Sequence, residues 1–360
     1  IFFNMYQKPS GVWIMAYTTI DDPTAFFQCT LYTGNNGTQT ITHTGNSDLQ
    51  ANMIWGKARN DTASHFLIDS VRGVSKRLKV NNGDAEATVN TGITAIGSDS
   101  FAVGNDGDFN DNNINYASWN WKAGTSFTNN AGANGANLAT TAGSVNTDAG
   151  FSILKWNSSS MAGEGLLAHG LGVVPSVIMI KSTSGADDWY TYHKSLGATK
   201  YVRLNQNAAA ETSSTWLENK TPTATLISLD NGFWGTSSVD YIAYCFAEKQ
   251  GYSKFGSYTG NGNADGPFVH LGFKPAMVIC KNSSASTNWQ MVDNKRNTAN
   301  IVNKVLYPDL NNAEDTVSLV DFNSNGFKVR NTTTDWNTNA QVYIYMAFAE
   351  NPFVTSTGVP

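Results

Sequence analysis

Alternating hydrophobic and polar residues predict β-strands along much of the chain. In residues 65–70, Phe66 and Ile68 fall on one side of an extended backbone, and residues 189–194 alternate in the same way. Helical periodicity is nowhere sustained beyond one or two turns, although residues 207–219 (NAAAETSSTWLEN) are compatible with one short helix over a sheet. The pattern therefore predicts an all-β protein.

Three segments of the sequence share one arrangement. Each has an apolar run that ends in a lysine, and these lysines are Lys57, Lys181 and Lys281. Eight residues after each lysine stand His65, Trp189 and Trp289, and each copy closes with an aromatic strand, namely YASWNW at 116–121, YIAYCF at 241–246 and YIYMAF at 343–348. We expect the lysines to point to solvent or to pair locally. The recurrence predicts three tandem antiparallel β-sandwich repeats of about 100 residues, because only copies of one fold keep one spacing.

The predicted boundaries follow from the repeat. They are an N-terminal strand segment at 1–23, repeats at 24–121, 150–249 and 250–353, a Gly/Asn/Thr-rich linker at 122–149 in an extended conformation, and a tail at 354–360. Because the sequence begins abruptly at Ile1, we also expect it to be part of a longer protein.

Composition excludes several classes of protein. Only 14% of the residues are charged and the net charge is −5, which leaves no basic footprint for nucleic acid. The locally basic residues 70–80 alternate with valine and leucine, and we interpret them as an exposed strand face. No apolar run approaches the roughly 20 residues of a membrane-spanning helix. Three cysteines are an odd number, so we expect buried free thiols rather than a disulfide framework.

Aromatic side chains are the main candidates for a binding function. Flat rings among neutral polar residues suit carbohydrate, since a ring stacks on a sugar while amides bond its hydroxyls. The candidates for glycan binding are Trp189, Tyr190, Trp234, Trp289 and Trp336. The alternative is that these rings pack between domains or against neighbouring subunits.

Candidate chemistry is otherwise weak. Asp106, Asp108 and Asn110 stand at positions 1, 3 and 5 of a calcium-loop pattern, but position 6 is Asp111 and position 12 is Ala117. Calcium is therefore only a minor possibility, and we expect no other cofactor. The GxSxG, HExxH, P-loop and GxGxxG motifs are absent, and no glutamates recur in the paired arrangement of a glycosidase. The sequence predicts no enzyme.

Four phrases carry a resemblance to a known family. AHGLGVVPSVIMIK (168–181), YHKSLGATKYVRLN (192–205), the segment 241–269 and YIYMAFAENPF (343–353) resemble a repeat domain of tailed-bacteriophage virion structural proteins, a marine phage type often linked to laminin-G or concanavalin-like domains. The resemblance spans roughly residues 50–353 and carries no assigned catalytic residues.

The resemblance implies a non-enzymatic protein on the exterior of the phage particle, with other virion proteins as partners. We expect a tail fibre or spike component that contributes to adhesion to host-surface glycans. The alternative is a purely structural virion protein, such as a capsid decoration or tail-associated subunit without ligand. Since small repeats stacked along an appendage gain stability from neighbours, we also expect a homo-oligomer, with a trimer favoured.

Overall fold

A computed structural model describes residues 5–7, 13–15, 18–161, 163–235 and 237–352. The chain is all-β, and the two α-helices in these residues are single turns, α1 (Gly107–Asn110) and α2 (Asn231–Trp234). Near the N-terminus, β1 (Met5–Gln7) pairs antiparallel with β2 (Trp13–Met15). Within the described residues, no helix is long and apolar enough to span a membrane. The predicted tail at 354–360 and parts of the predicted segment 1–23 lie outside the described residues.

We call residues 27–121 unit 1. Its strands are β3 (Phe27–Thr33), β4 (Gln39–Thr42), β5 (Met53–Ala58), β6 (Phe66–Asp69), β7 (Lys76–Lys79), β8 (Ala87–Thr88), β9 (Ile93–Ile96), β10 (Ser100–Val103) and β11 (Asn115–Trp121). They form a large sheet in the order β3-β11-β5-β6-β7-β8 and a small sheet in the order β4-β10-β9.

Residues 125–246 form unit 2. Its strands are β12 (Thr125–Ser126), β13 (Ala142–Asn146), β14 (Phe151–Asn157), β15 (Glu164–Ala168), β16 (Val177–Ser182), β17 (Tyr190–His193), β18 (Lys200–Arg203), β19 (Glu211–Thr212), β20 (Leu226–Asp230) and β21 (Asp240–Phe246). The large sheet has the order β12-β13-β14-β21-β16-β17-β18-β19, and β15 pairs with β20. The predicted linker at 122–149 thus contributes two short strands, β12 and β13, to this sheet. The short helix considered at 207–219 is wrong, because that stretch holds β19 and turns.

Residues 253–352 form unit 3, which has two four-stranded sheets. Its strands are β22 (Ser253–Thr259), β23 (Phe268–His270), β24 (Phe273–Asn282), β25 (Gln290–Asp293), β26 (Val302–Val305), β27 (Asp315–Asn323), β28 (Gly326–Val329) and β29 (Val342–Pro352). The sheet orders are β22-β29-β24-β25 and β23-β28-β27-β26.

One strand order recurs in the large sheets of units 1 and 2 and in the β22-β29-β24-β25 sheet of unit 3, and we call these the three large sheets. It is β3-β11-β5-β6 in unit 1, β14-β21-β16-β17 in unit 2 and β22-β29-β24-β25 in unit 3. The register also recurs, because Lys57, Lys181 and Lys281 each lie opposite the residue that follows the tyrosine of the closing strand. That the units are copies of one ancestral domain stays a prediction, which this shared order and register favour.

The three large sheets share a central core. Each unit has its own apolar cluster between its two sheets, while the largest cluster takes side chains from the opposite face of all three large sheets. At its middle, Trp121, Phe246 and Phe348 stand at one equivalent position, and their ring centroids are 5.5 to 6.3 Å apart. The units therefore surround one approximate three-fold axis.

Hydrogen bonds close this arrangement into a ring. The backbone N–H of Glu86 donates to the carbonyl of Thr183 at 3.0 Å, which joins unit 1 to unit 2. The N–H of Ala210 donates to Ser283 at 3.0 Å and joins unit 2 to unit 3; the N–H of Glu314 donates to Arg59 at 2.6 Å and joins unit 3 to unit 1. The expectation of repeats stacked in a line is therefore wrong, since unit 3 returns to contact unit 1.

Candidate functional site

The three recurring lysines are buried and pair locally, so of the two expectations local pairing is confirmed and exposure to solvent is wrong. Each is 0% exposed, and each Nζ donates to the carbonyl of the following residue at 2.6 to 3.0 Å. Lys181 also donates to Gly83 of unit 1, and Lys281 to Asn207 of unit 2. Burial lowers the pKa of each ammonium group to about 8, because the charged form loses hydration. Lys181 and Lys281 therefore join neighbouring units, whereas Lys57 donates to Ala58 and Asp61 within unit 1.

The tryptophans eight residues after two of the lysines also join units. The indole N–H of Trp189 donates to the carbonyl of Lys79 in unit 1, and that of Trp289 to Arg203 in unit 2, both at 2.9 Å. At the equivalent place in unit 1, Nε2 of His65 lies 3.0 Å from the carbonyl of Tyr307 in unit 3. The rings are 0% and 3% exposed, so the predicted exposure to glycan is wrong. They pack between units, as the alternative interpretation had it.

The other aromatic candidates belong to the cores of individual units. Trp234 and Trp336 are 2% and 0% exposed, and the indole N–H of Trp234 donates to the carbonyl of Trp216 at 2.7 Å. Their loops fold back over the sandwich, which turn-rich sequence does not reveal. Tyr190 alone keeps a partly exposed ring, with the Arg203 guanidinium 6.0 Å from its centroid.

Buried ion pairs occupy two of the three contacts between units. The Asp69 carboxylate accepts from Arg72 Nε and from the Tyr244 hydroxyl of unit 2, both at 2.6 Å. The equivalent Asp293 accepts from Arg296 Nε at 2.6 Å, and from the indole N–H of Trp119 in unit 1 at 3.1 Å.

The third contact has a histidine in place of the aspartate. His193 lies with Nε2 3.1 Å from the carbonyl of Tyr345. Burial lowers the pKa of His193 to about 4, so the ring is neutral at pH 7.

Asp309 is a buried carboxyl group with a strongly raised pKa. Its Oδ1 accepts from the backbone N–H of Trp289 at 3.0 Å, while Oδ2 has no partner among the described residues. Burial raises the pKa of Asp309 to about 7. Units 1 and 2 place Asn81 and Asn205 at this position, and each accepts the corresponding N–H at 2.9 Å. All three units thus make the same structural hydrogen bond, and only in unit 3 is the acceptor a carboxyl group.

The candidate calcium ligands have other partners. Asp106 accepts from the Asp108 backbone N–H at the start of α1, and Asp108 forms an ion pair with Arg77. Asn110 is 0% exposed and bonds the carbonyls of Gly37 and Gly104. Because the three side chains point to different partners, the calcium interpretation is not supported. Across the described residues, no group of three or more His, Cys, Asp or Glu is placed to hold a metal ion.

The basic segment is neutralised by acidic partners. Arg72 is buried with Asp69, in contrast to the expected exposed face, and the remaining cations pair with carboxylates: Lys76 with Glu86, Arg77 with Asp108 and Lys79 with Asp84. The three cysteines, Cys29, Cys245 and Cys280, are free and buried, as predicted.

A groove between units 1 and 3 was not predicted from the sequence. This seam groove has a volume of about 230 Å³. Unit 1 contributes the edge of β3 and the turn around Gly45, and unit 3 contributes Asn294 and Lys295. The signal in the sequence is indirect: residues 122–149 lengthen the interval between Lys57 and Lys181, and this added length supplies a strand that covers a surface of unit 2.

Comparisons with known proteins give a family. No curated protein and no solved structure matches the chain. One family model, described as a domain of unknown function (DUF7483), matches residues 22–352 and thus spans all three units. The chain belongs to this DUF7483 family.

Proposed function

We propose that the chain is a non-enzymatic structural protein of a tailed-bacteriophage particle. The resemblance in four phrases supports the particle, and one structural observation favours the purely structural alternative over adhesion. Four of the five side chains that suggested glycan binding are at most 3% exposed. Because they join units or fill cores, they maintain the shape of the protein and do not offer stacking surfaces.

Particle imaging tests this proposal. An epitope inserted at the exposed turn around Asn263 leaves the strands intact, and antibody labelling of purified particles is expected to mark the exterior. Deletion of the gene is expected to yield particles that are unstable or incompletely assembled. Particles without the epitope, or particles that assemble normally after deletion and fail only to adsorb to host cells, would contradict the proposal.

Adhesion to host glycans is the second candidate, and the partly exposed ring of Tyr190 favours it. Its hydroxyl donates to Asp187 at 3.1 Å, and Arg203 lies against its ring. Binding on a glycan array that Tyr190→Ala abolishes, and that Tyr307→Ala at the partly buried surface of unit 3 leaves unchanged, would support adhesion. A homotrimer in a tail fibre is a separate proposal. It was expected because small sandwiches gain stability from neighbours, but the three units of one chain already provide such neighbours.

A further inference from the structure

Among the described residues, the first strand of unit 1 has an open edge, because β3 pairs there only with β11. The carbonyl of Phe26 accepts from Lys122, and the N–H of Gly34 donates to Ile114. The backbone N–H and C=O groups of even-numbered residues of β3 therefore point towards β11. Those of odd-numbered residues, such as Cys29 and Leu31, point away from it. Phe27 and Cys29 line the seam groove.

In unit 2 the equivalent edge is already paired. β14 takes the place of β3 in its sheet, and β13 runs antiparallel along its outer side, with Ser144 opposite Ile153 and Ala142 opposite Lys155. Counted from the closing strands, Ile153 corresponds to Cys29 and Lys155 to Leu31. The chain itself thus supplies a strand for this edge.

The surroundings of β13 correspond to those of the seam groove. Small residues of β13 lie beside Asn52, Ser70 and Val71 of unit 1 and beside Gly124, which follows unit 1 in the sequence. The residues at the same offsets in unit 3 line the seam groove: Ala276, Asn294, Lys295 and Asn351. The seam groove between units 3 and 1 is therefore equivalent to the place that β13 fills between units 1 and 2. No strand of the described residues occupies the seam groove.

The third contact between units, that of units 2 and 3, has its strand edge covered by a side chain and a turn. Glu248 Oε1 accepts from the backbone N–H of Phe255 at 2.8 Å, on the outer edge of β22. Ser253 on the same edge exchanges backbone hydrogen bonds with Lys249. At two of the three contacts between units, the chain itself thus provides hydrogen-bond partners for the strand edge. The edge of β3 is the exception, and an unpaired strand edge is a template for another strand.

We propose that the seam groove binds an extended segment of another polypeptide, which adds to β3 as an antiparallel strand. Such addition takes its affinity from main-chain hydrogen bonds and its specificity from alternate side chains. A second copy of β3 does not fit, because the edge is recessed between two units and Cys29 is only 4% exposed. The inference does not depend on the particle assignment.

The groove defines the chemistry of the segment. The residue opposite Thr30 is small, because in β13 the corresponding residue is Gly143, where an added Cβ would lie 2.8 Å from the carbonyl of Ile153. The residue opposite Cys29 is polar. Oδ1 of Asn294 is buried without a hydrogen-bond partner among the described residues and requires a donor, and Lys295 favours an acceptor.

A peptide with the sequence of residues 141–148 (TAGSVNTD) is the probe. Fluorescence anisotropy is expected to show saturable binding to the whole chain, and N-methylation of Ser144 in the peptide is expected to abolish it. Leu31→Pro removes one outward N–H and is expected to weaken binding about tenfold or more, since one hydrogen bond and its geometry are lost. The matched control is Ser257→Pro, at the equivalent exposed position of β22, which is expected to leave binding unchanged.

Three results would overturn the proposal. The first is absence of saturable binding, or equal binding by the Leu31→Pro protein with an unchanged melting temperature. The second is binding that appears only after residues 353–360 are deleted, which would make the chain's own end the occupant. The third is a dimer in sedimentation that Leu31→Pro dissociates, which would make a second copy the partner.

Discussion

The shared central core predicts energetic coupling between residues far apart in the sequence. Phe27 of unit 1 and Phe348 of unit 3 are 2% and 1% exposed, and their rings stack at a centroid distance of 5.2 Å. Replacing either by leucine keeps the site apolar but removes the aromatic pair. Each change is expected to lower the free energy of unfolding by about 1–2 kcal/mol.

A double-mutant cycle isolates the contact between units. Because the pair is lost with the first replacement, the double variant Phe27→Leu with Phe348→Leu is expected to lose about 0.5–1.5 kcal/mol less than the sum of the single changes. The matched control combines Phe27→Leu with Phe327→Leu, since Phe327 is equally buried but belongs to the separate core of unit 3. That pair is expected to be additive within about 0.5 kcal/mol.

Urea unfolding followed by circular dichroism measures the four free energies of each cycle. A coupling energy for Phe27 and Phe348 no larger than that of the control would refute the closed ring. Two separated unfolding transitions in the unmodified protein would also count against a core that all three units share.

Three further predictions concern buried polar groups. Asp309→Asn is expected to stabilise the protein by roughly 1–3 kcal/mol at pH 8 and to change the free energy of unfolding little at pH 4. The reason is that the folded pKa of about 7 lies above the unfolded value of 3.8, so stability is lost as the pH rises through this range. A gain that is independent of pH would contradict the burial argument. Asp69→Ala leaves Arg72 buried without its closest partner and is expected to cost about 3–5 kcal/mol. Removal of the exposed pair with Glu164 by Lys220→Ala is expected to change the free energy of unfolding far less; equal costs by chemical denaturation would argue against this difference. Thiol titration is expected to find three free cysteines after unfolding and none that reacts rapidly before it, because burial raises the pKa of Cys245 and Cys280 to about 12; one thiol after unfolding would mean that two of them pair.

Several side chains lie on the strand face that the sequence predicts, but the sequence did not predict that another unit covers this face. Alternation puts Trp189 and Trp289 opposite the core of their own units, and the structure agrees. Their exposure was predicted wrongly because the cover comes from another unit. A signal was present, however. The runs at 53–56, 177–180 and 277–280 are apolar without alternation, which is typical of a strand buried on both faces.

The fold class and the recurring positions of Lys57, Lys181 and Lys281 can be predicted from the amino-acid sequence alone. These depend on local alternation and on fixed spacing within each unit, and both are legible along one strand. Three features emerge only from the folded chain: the units close into a ring, the lysines are buried, and one strand edge stays open among the described residues. Each of these depends on contacts between units, such as that of His65 with Tyr307 across 242 positions. No local pattern records which distant surface will meet a given strand, because burial of apolar area is not directional.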